Sequence, residues 1–225
     1  MSLKTDLQGQ IGDIFRTIWT ERDGIVVPTD TSITLGNNAV KIDAVVLYAD
    51  LADSTAMVNS LPPHIAAEIY KTFLYCAAKI IKSQGGEVTA YDGDRVMAVF
   101  LESEKNTNAI KAAMKIHAAV RNIVQPGFDK IYSAISSYKL KHVCGIDRSD
   151  LYVAKTGVRG ANDLVWVGRA ANYAAKLSAL PETYQTYITK TVYDGMLDVA
   201  KFTNGQNMWW TITQTSVPIQ VYGST

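Results

Sequence analysis

The stretch AVVLYADLADST, residues 44–55, decides the fold that we expect for this chain. Its first six residues are apolar or aromatic, which is typical of a strand buried in a sheet. Asp50 follows this strand directly, and a second acid and two hydroxyl side chains come within the next five residues. A buried strand that ends on a carboxylate needs a reason, and this strand end is therefore the first candidate for a functional site.

Working outward from this strand, the spacing of apolar residues and the positions of Gly and Pro predict the other elements. The expected elements are helices over 3–22, 62–83, 104–124, 169–180 and 190–197, strands over 43–49, 87–91, 96–100, 139–147, 150–157, 163–167 and 185–189, a connector over 23–42, and a hairpin around 208–222. The order β-α-β-β-α-β indicates an α+β, ferredoxin-like fold, an antiparallel sheet with helices on one face. A C-terminal α/β extension follows this core. We expect one main domain over 41–225, preceded by a helix and connector over 1–40.

Composition narrows the class of protein. The chain has 225 residues, 48% of them hydrophobic, and a formal net charge of +1, so we expect no nucleic-acid-binding surface. No apolar run reaches the roughly 18 residues that span a bilayer, and the N-terminus has no signal-peptide core, so we expect a cytoplasmic protein without a membrane partner. His64, His117 and His142 lie far apart without zinc-ligand spacing, and we expect structural or surface roles for them.

Two acids are expected to meet at one edge of the sheet. Asp50 ends a strand, and Asp94 lies in the DGD turn of the next hairpin. In a ferredoxin-like sheet we expect the strand before the first helix to lie beside the strand after it, so that these ends meet. Converging carboxylates repel unless one is protonated or a cation lies between them. Oxygen ligands favour Mg²⁺ or Mn²⁺, with substrate phosphates completing the shell. In the simpler alternative, Asp50 caps a turn and Asp94 is an ordinary hairpin residue.

Three sequence blocks carry a family resemblance. VVLYADLADST (45–55), GGEVTAYDGDRVMAVF (85–100) and VWVGRAANYAAKL (165–177) resemble, in order, the signature blocks of the class III nucleotidyl cyclase catalytic domain. The resemblance covers about residues 41–190. It implies that a nucleoside triphosphate is converted to a 3′,5′-cyclic nucleotide and pyrophosphate. It also implies two divalent metal ions, Mn²⁺ or Mg²⁺, and a homodimer with composite active sites.

The first two blocks supply the metal and phosphate residues by this resemblance. Asp50 and Asp94 match the metal-binding aspartates, and Leu51 matches the position whose backbone carbonyl also touches a metal. Residues 52–55, which include the nucleotide-binding candidates Ser54 and Thr55, match the turn whose backbone amides hold the triphosphate. A turn that runs into a helix suits this role, because its free N–H groups face outward.

The third block supplies two catalytic candidates on one predicted helix. Asn172 matches the asparagine that orients the ribose, and Lys176 stands where the family usually has a transition-state arginine. Residues four apart share a helix face. Lysine keeps the positive charge of arginine but loses its bidentate fork. In this family the metal aspartates come from one subunit and this helix from the other.

The residues that would select the base depart from the purine cyclases. Ala90 and Val165 stand at the positions that read the purine edge in the family, and neither side chain forms hydrogen bonds. Tyr48 and Arg95 are nucleotide-binding candidates instead, unless they are a core aromatic residue and a solvated charge. The chain looks like a pyrimidine cyclase of the bacterial Pycsar systems, which implies UTP or CTP as substrate and a cUMP or cCMP signal in antiphage defence. We favour UTP; the alternatives are an adenylate cyclase with atypical base recognition and a catalytically inactive nucleotide-binding domain.

Overall fold

The computed structural model describes residues 2–225, and most of its strands belong to one mixed sheet. The strands are β1 (Thr20–Asp23), β2 (Asn38–Leu51), β3 (Glu87–Asp92), β4 (Arg95–Phe100), β5 (His142–Val158), β6 (Ala161–Val167), β7 (Thr186–Thr189), β8 (Phe202–Thr203), β9 (Gln206–Asn207), β10 (Trp210–Ile212) and β11 (Val221–Ser224). The helices are α1 (Leu3–Arg16), α2 (Ser54–Ser60), α3 (Pro63–Ser83), α4 (Lys105–Ala119), α5 (Gln125–Ile131), α6 (Arg169–Ser178) and α7 (Lys190–Gly195). A π-helical turn, Val120–Val124, joins α4 to α5.

The ferredoxin-like core is present, with β2 at its centre. The strand order is β10-β11-β7-β5-β2-β4-β3, and β2 runs antiparallel to both β4 and β5. The strand directly after α3 is β3, which lies one place further out at the edge, so the expected neighbour of β2 was wrong by one strand. Since Asp94 lies in the turn that joins β3 to β4, it still comes close to the end of β2.

The two faces of the sheet are covered by different helices because side chains alternate along a strand. Val45, Leu47 and Ala49 of β2 belong to the core that α3 and α4 cover, as expected for the two helices of the βαββαβ unit. Ala44 and Val46 belong to a second core on the opposite face, which is covered by α6 from the C-terminal extension. By the same alternation, the candidate residues Tyr48 and Asp50 lie on the α6 face.

A glycine sets the distance between α6 and the sheet. A Cβ atom at Gly145 of β5 would lie 2.2 Å from the carbonyl oxygen of Ala174 and 2.4 Å from the backbone nitrogen of Ser178. The backbone of α6 therefore rests directly on β5. This contact fixes the helix that carries Asn172 and Lys176 relative to the rest of the sheet.

The N-terminal segment differs from its sequence prediction. The predicted helix over 3–22 ends at Arg16, and Thr20–Asp23 forms β1, which pairs in parallel with β2. The side-chain amide of Asn37 donates to the backbone carbonyls of Ile14 and Thr17 at 2.8 and 2.7 Å and so holds the helix end beside the sheet. No residue of α1 is buried, in agreement with its predicted place outside the core.

Three further boundaries were also predicted wrongly. The strands expected over 139–147 and 150–157 are one strand, because β5 pairs with β2 without interruption from Ala39 to Leu51. Pro126 does not end the predicted helix over 104–124 but lies in the first turn of α5, where a missing N–H costs nothing. The short helix α2 was not predicted, whereas the C-terminal hairpin of β10 and β11 was.

None of the helices described, from residue 2 to residue 225, combines the length and the apolar character that crossing a lipid bilayer requires.

Candidate active site

The two acids predicted to converge are neighbours in the structure. Asp50, the penultimate residue of β2, is paired across the ladder with Arg95, the first residue of β4. Asp94 precedes Arg95 in a tight turn, in which Gly93 adopts φ 62°, a left-handed conformation that favours glycine. The hairpin geometry thus brings Asp94 to the end of β2 that carries Asp50.

Electrostatics at this strand end favour either a proton on one of the two acids or a cation between them. Burial and, second, the charge of Asp94 raise the pKa of Asp50 to about 6, while Arg95 opposes the rise. The carboxyl group of Asp50 also accepts a hydrogen bond from the N–H of Leu51. The Oδ2 atom of Asp94 is buried and has no hydrogen-bond partner within residues 2–225. A buried carboxylate oxygen without a donor, beside a second acid, fits a divalent cation.

Protein side chains alone would not complete such a site. Residues 2–225 contain no cluster of three or more His, Cys, Asp or Glu side chains placed to hold a metal ion. The residues that could hold a cation here are Asp50, Asp94 and the backbone of Leu51. Mg²⁺ and Mn²⁺ sites of this kind take their remaining oxygen ligands from substrate phosphates and water.

The turn after β2 agrees only in part with the expected phosphate-binding turn. The N–H of Ala52 donates to the carbonyl of Lys141 at 3.0 Å, so it is not free to hold a phosphate. Asp53 adopts φ 58° at the start of α2, and its carboxylate lies 3.1 Å from the ammonium of Lys141. Ser54 and Thr55 form the first turn of α2, where N–H groups have no partner inside the helix. The amides available to an anion are therefore those after Ala52.

Beside the acid pair, an open cleft of about 410 Å³ lies between the β3–β4 hairpin, β6 and α6. Its lining includes Tyr48, Ala90, Arg95, Val165, Trp166 and Asn172. The cleft thus brings together both nucleotide-binding candidates of β2 and β4, the ribose candidate of α6, and the two apolar residues that stand where purine cyclases read the base. Lys176 lies one turn further along α6 and is not part of the lining.

Tyr48 and Arg95 form one wall of the cleft. The Tyr48 hydroxyl donates to the sulfur of Met97 at 3.2 Å, and the Arg95 guanidinium lies 5.6 Å from the centroid of the Tyr48 ring. Asp92 holds Arg95 through an ion pair of 2.5 Å. Sequence reasoning did not identify Asp92 or Met97, although Asp92 is part of the YDGD turn that marked the site.

The α6 helix presents its two catalytic candidates to solvent. Asn172 and Lys176 are exposed, and neither side chain has a hydrogen-bond or ion-pair partner within residues 2–225. The start of the helix is fixed by Arg169, which pairs with the fully buried Asp147 at 3.0 Å and donates to the carbonyl of Arg148 at 2.6 Å. Sequence reasoning missed this anchor, since a buried acid in the middle of a strand has no local signal.

Comparison with known proteins gives two kinds of similarity. No family model matches the chain. A uridylate cyclase of Xanthomonas perforans is 56% identical over 214 residues, which cover 95% of this chain and 92% of that protein. A uridylate cyclase of Burkholderia cepacia is 46% identical over 227 residues, covering 96% of this chain and 98% of the relative. These matches extend over nearly the whole length of both proteins.

Solved structures are similar in fold. A bacterial light-regulated adenylyl cyclase matches with a TM-score of 0.69 and 21% identity, and the match covers 83% of this chain and 53% of the cyclase chain. The adenylyl cyclase CyaB from P. aeruginosa matches with a TM-score of 0.66 and 18% identity over 83% of this chain and 95% of its own. At these identities the similarity shows the fold and not the substrate.

Proposed function

Since the chain belongs to the uridylate cyclases, a group with the class III nucleotidyl cyclase fold, we propose that it converts UTP to 3′,5′-cyclic UMP and pyrophosphate. The observation that carries this proposal is the pair formed by Asp50 and Asp94 at the end of β2. An ion pair or a hydrogen-bond donor would satisfy these acids in a purely structural role. Instead, Asp94 Oδ2 has no partner among the described residues 2–225, and the pKa of Asp50 is raised to about 6.

The residues of this chain fit two divalent cations, Mg²⁺ or Mn²⁺, as the family implies. Asp50, Asp94 and the Leu51 carbonyl would hold them. Such ions, when bound, stabilise the charge that develops on the ribose 3′-oxygen and on the phosphates. In the overall reaction the 3′-oxygen forms a bond to the α-phosphorus, the bond from that phosphorus to the β-phosphate bridging oxygen breaks, and the 3′-hydroxyl proton leaves to solvent.

Other residues of the chain position the nucleotide. The amides of Ser54 and Thr55 at the start of α2 face the phosphates, and Asn172 orients the ribose. Lys176 supplies a positive charge that stabilises the transition state. No side chain is needed as a general base, because positioning and charge account for catalysis in reactions of this type.

We propose that the working enzyme is a homodimer in which α6 of one subunit completes the metal site of the other. Asn172 and Lys176 are exposed and have no hydrogen-bond or ion-pair partner within residues 2–225, which supports this arrangement. Mixing two inactive variants tests it. Asp50→Ala destroys the metal half and Asn172→Ala the ribose half of a site. A composite dimer regains one intact site in each mixed dimer, so an equimolar mixture after subunit exchange recovers about a quarter of wild-type activity. Sites built within single chains would recover none.

The cleft residues favour uracil over cytosine. An arginine can only donate hydrogen bonds, and Arg95 uses one of its nitrogens for Asp92. Its remaining donors suit a carbonyl oxygen, which uracil carries at the ring position where cytosine carries an amino group. Tyr48, whose hydroxyl donates to the thioether of Met97 and has no other partner within residues 2–225, can donate or accept. The side chains of Ala90 and Val165 offer no hydrogen bonds to a purine edge.

An assay with four substrates tests the reaction. The protein is incubated with Mn²⁺ and each of ATP, GTP, CTP and UTP, and the products are separated and identified. We expect cUMP as the main product. Cyclic AMP as the sole product would establish the adenylate cyclase alternative, and no product with any substrate would establish the inactive domain.

Resemblance to the Pycsar cyclases supports a role for cUMP as a second messenger in antiphage defence. A cytoplasmic location, which the sequence predicts, would give the enzyme access to cellular UTP. Phage challenge of cells that carry either the wild-type chain or the Asp50→Ala variant, together with the genes that normally accompany it, tests this role. Protection is expected with the wild type alone.

A further inference from the structure

A second cavity lies beside the turn at the end of β2, residues 51–53, on the α4 side of the sheet. It has a volume of about 240 Å³ and is bounded by the end of α4, the π-helical turn and the residues at the start of β5. Its lining includes His117, Arg121, Lys139, Lys141, His142 and Glu182. None of these residues lines the nucleotide cleft. A π-helical turn in the wall is itself a feature that is frequent at functional sites.

Two histidines in this wall lack hydrogen-bond partners. His142 is 2% exposed and its Nε2 atom has no partner within residues 2–225, and the same holds for the buried Nδ1 atom of His117. The two rings stack with centroids 5.5 Å apart. Burial lowers the pKa of His142 to about 3, so its ring is neutral and offers one N–H and one acceptor. An unpartnered buried nitrogen is costly. Both nitrogens are closed off from the open cavity, so a polar ligand there would relieve that cost once a ring turns towards it.

The charges around the cavity select the kind of ligand. Three cations line it, Arg121, Lys139 and Lys141, against the single carboxylate of Glu182. Lys139 pairs with Asp129, which lies outside the lining. The Lys141 ammonium lies 2.5 Å from a carboxylate oxygen of Glu182 and also pairs with Asp53. Arg121 has no ion-pair partner within the described chain and is exposed at the mouth. The free cation and the neutral imidazoles together suit a small anion.

The cavity wall is connected directly to the catalytic turn. The carbonyl of Lys141 accepts the hydrogen bond from Ala52, and its ammonium pairs with Asp53. His142 is the ladder partner of Leu51. A ligand that moved the start of β5 would therefore act on the three residues that follow Asp50.

We propose that this cavity binds a small anion with a phosphate or carboxylate group, and that its occupancy changes the rate of the cyclase through the turn 51–53. The regulatory part rests on the proposed function, whereas the binding does not. Arg121 and the two histidines provide the contacts, and Lys141 joins the cavity to the turn.

NMR signals of the imidazole rings test the binding directly. The chain has three histidines, and His64, exposed at the start of α3, serves as an internal reference. Inorganic phosphate or acetate is titrated at fixed pH against chloride of equal ionic strength. We expect saturable shifts of the His117 and His142 signals with at least one of the two probes and none with chloride. Arg121→Gln should weaken binding about tenfold or more, since it removes a charged donor. Lys115→Gln, an exposed cation of α4 outside the cavity, should bind as the wild type does.

Turnover at saturating UTP with Mg²⁺ tests the regulatory part. The binding anion should change kcat in the wild type and in Lys115→Gln, and Arg121→Gln should require about tenfold more of it. Competition at the triphosphate site would act equally on all three proteins. Equal responses in all three would overturn the regulation, and imidazole shifts that are absent or identical in Arg121→Gln would overturn the binding. A chain without cyclase activity would still show the shifts, so failure of the proposed function is distinguishable.

Discussion

Replacing Asp50 with asparagine should remove activity and at the same time stabilise the metal-free protein. In the folded chain the pKa of Asp50 rises from 3.8 to about 6, first through burial and then through the charge of Asp94. At about 1.4 kcal/mol per pH unit, ionised Asp50 would cost about 3 kcal/mol of folding free energy at neutral pH. Because the carboxyl group is only half-buried, solvent screening reduces this, and we expect about 1–2 kcal/mol.

The direction of the pH effect on stability follows from which state, folded or unfolded, holds the Asp50 proton. Between pH 3.8 and about 6 the unfolded chain releases the Asp50 proton while the folded chain keeps it, so the folded state loses relative stability as the pH rises. The wild type and Asp50→Asn should therefore be equally stable near pH 3 to 4 and diverge up to about pH 6. For a domain of this size, 1–2 kcal/mol corresponds to about 2–8 °C in Tm. Asparagine can still accept the hydrogen bond from the Leu51 N–H.

Thermal denaturation in a chelator and in Mn²⁺ measures both effects. In the chelator the variant should melt above the wild type at neutral pH. At tenfold excess over the dissociation constant, Mn²⁺ should stabilise the wild type by about 1.4 kcal/mol and leave the variant unchanged. Asp13→Asn, which removes an exposed acid of α1, serves as the control and should follow the wild type. A variant that is no more stable than the wild type in the chelator, or that responds equally to Mn²⁺, would refute the reasoning.

Three further substitutions test the site and its support. Gly145→Ala should push α6 from the sheet, lower the unfolding free energy by about 1–3 kcal/mol and reduce kcat. Gly127→Ala, where a Cβ meets no described atom within 4 Å, should leave both the stability and kcat unlowered. Unchanged stability of Gly145→Ala in urea denaturation would contradict the packing. Arg95→Gln should lower the ratio of kcat/KM for UTP over CTP about tenfold or more, since glutamine can serve either base, and an unchanged ratio would exclude Arg95 from base selection. Lys176→Ala should lower kcat by about two orders of magnitude with little change in KM, while Lys176→Arg should keep or raise kcat. A change in KM alone would place Lys176 in ground-state binding.

The sequence predicted the core of the fold because its local signals agree with its tertiary contacts. The apolar run before Asp50 became the central strand, Pro63 begins α3, and the DGD turn joins β3 to β4. The predictions that were wrong concern segments where pairing overrides local preference. Arg148 and Ser149 were expected to separate two strands, yet they lie inside β5, because β2 pairs with it without interruption from Ala39 to Leu51.

Prediction of where the candidate residues lie relied on local signals, a strand end and a hairpin turn. It placed Asp94 beside Asp50 correctly, although the strand next to β2 is β4 and not the expected β3. It failed for Ala52, whose N–H is taken by Lys141, a residue that is almost ninety positions away and reaches the turn through β5. The same distance hid the histidine cavity, since His117 and His142 carry no shared motif and meet only when α4 packs against the start of β5.

Both cavities thus depend on one feature of the fold, the end of β2 between two neighbouring strands. On one side β4 presents Asp94 and Arg95, and on the other the first residues of β5 hold the turn that follows Asp50. A metal-binding acid in the middle of the strand would be insulated from changes at either neighbour. At the strand end, burial raises the pKa of Asp50, and the turn that follows it is hydrogen-bonded to Lys141, which lines the proposed anion cavity. The strand-end position therefore both raises the free-energy cost of ionising Asp50 in the folded chain and links Asp50 to the proposed anion site.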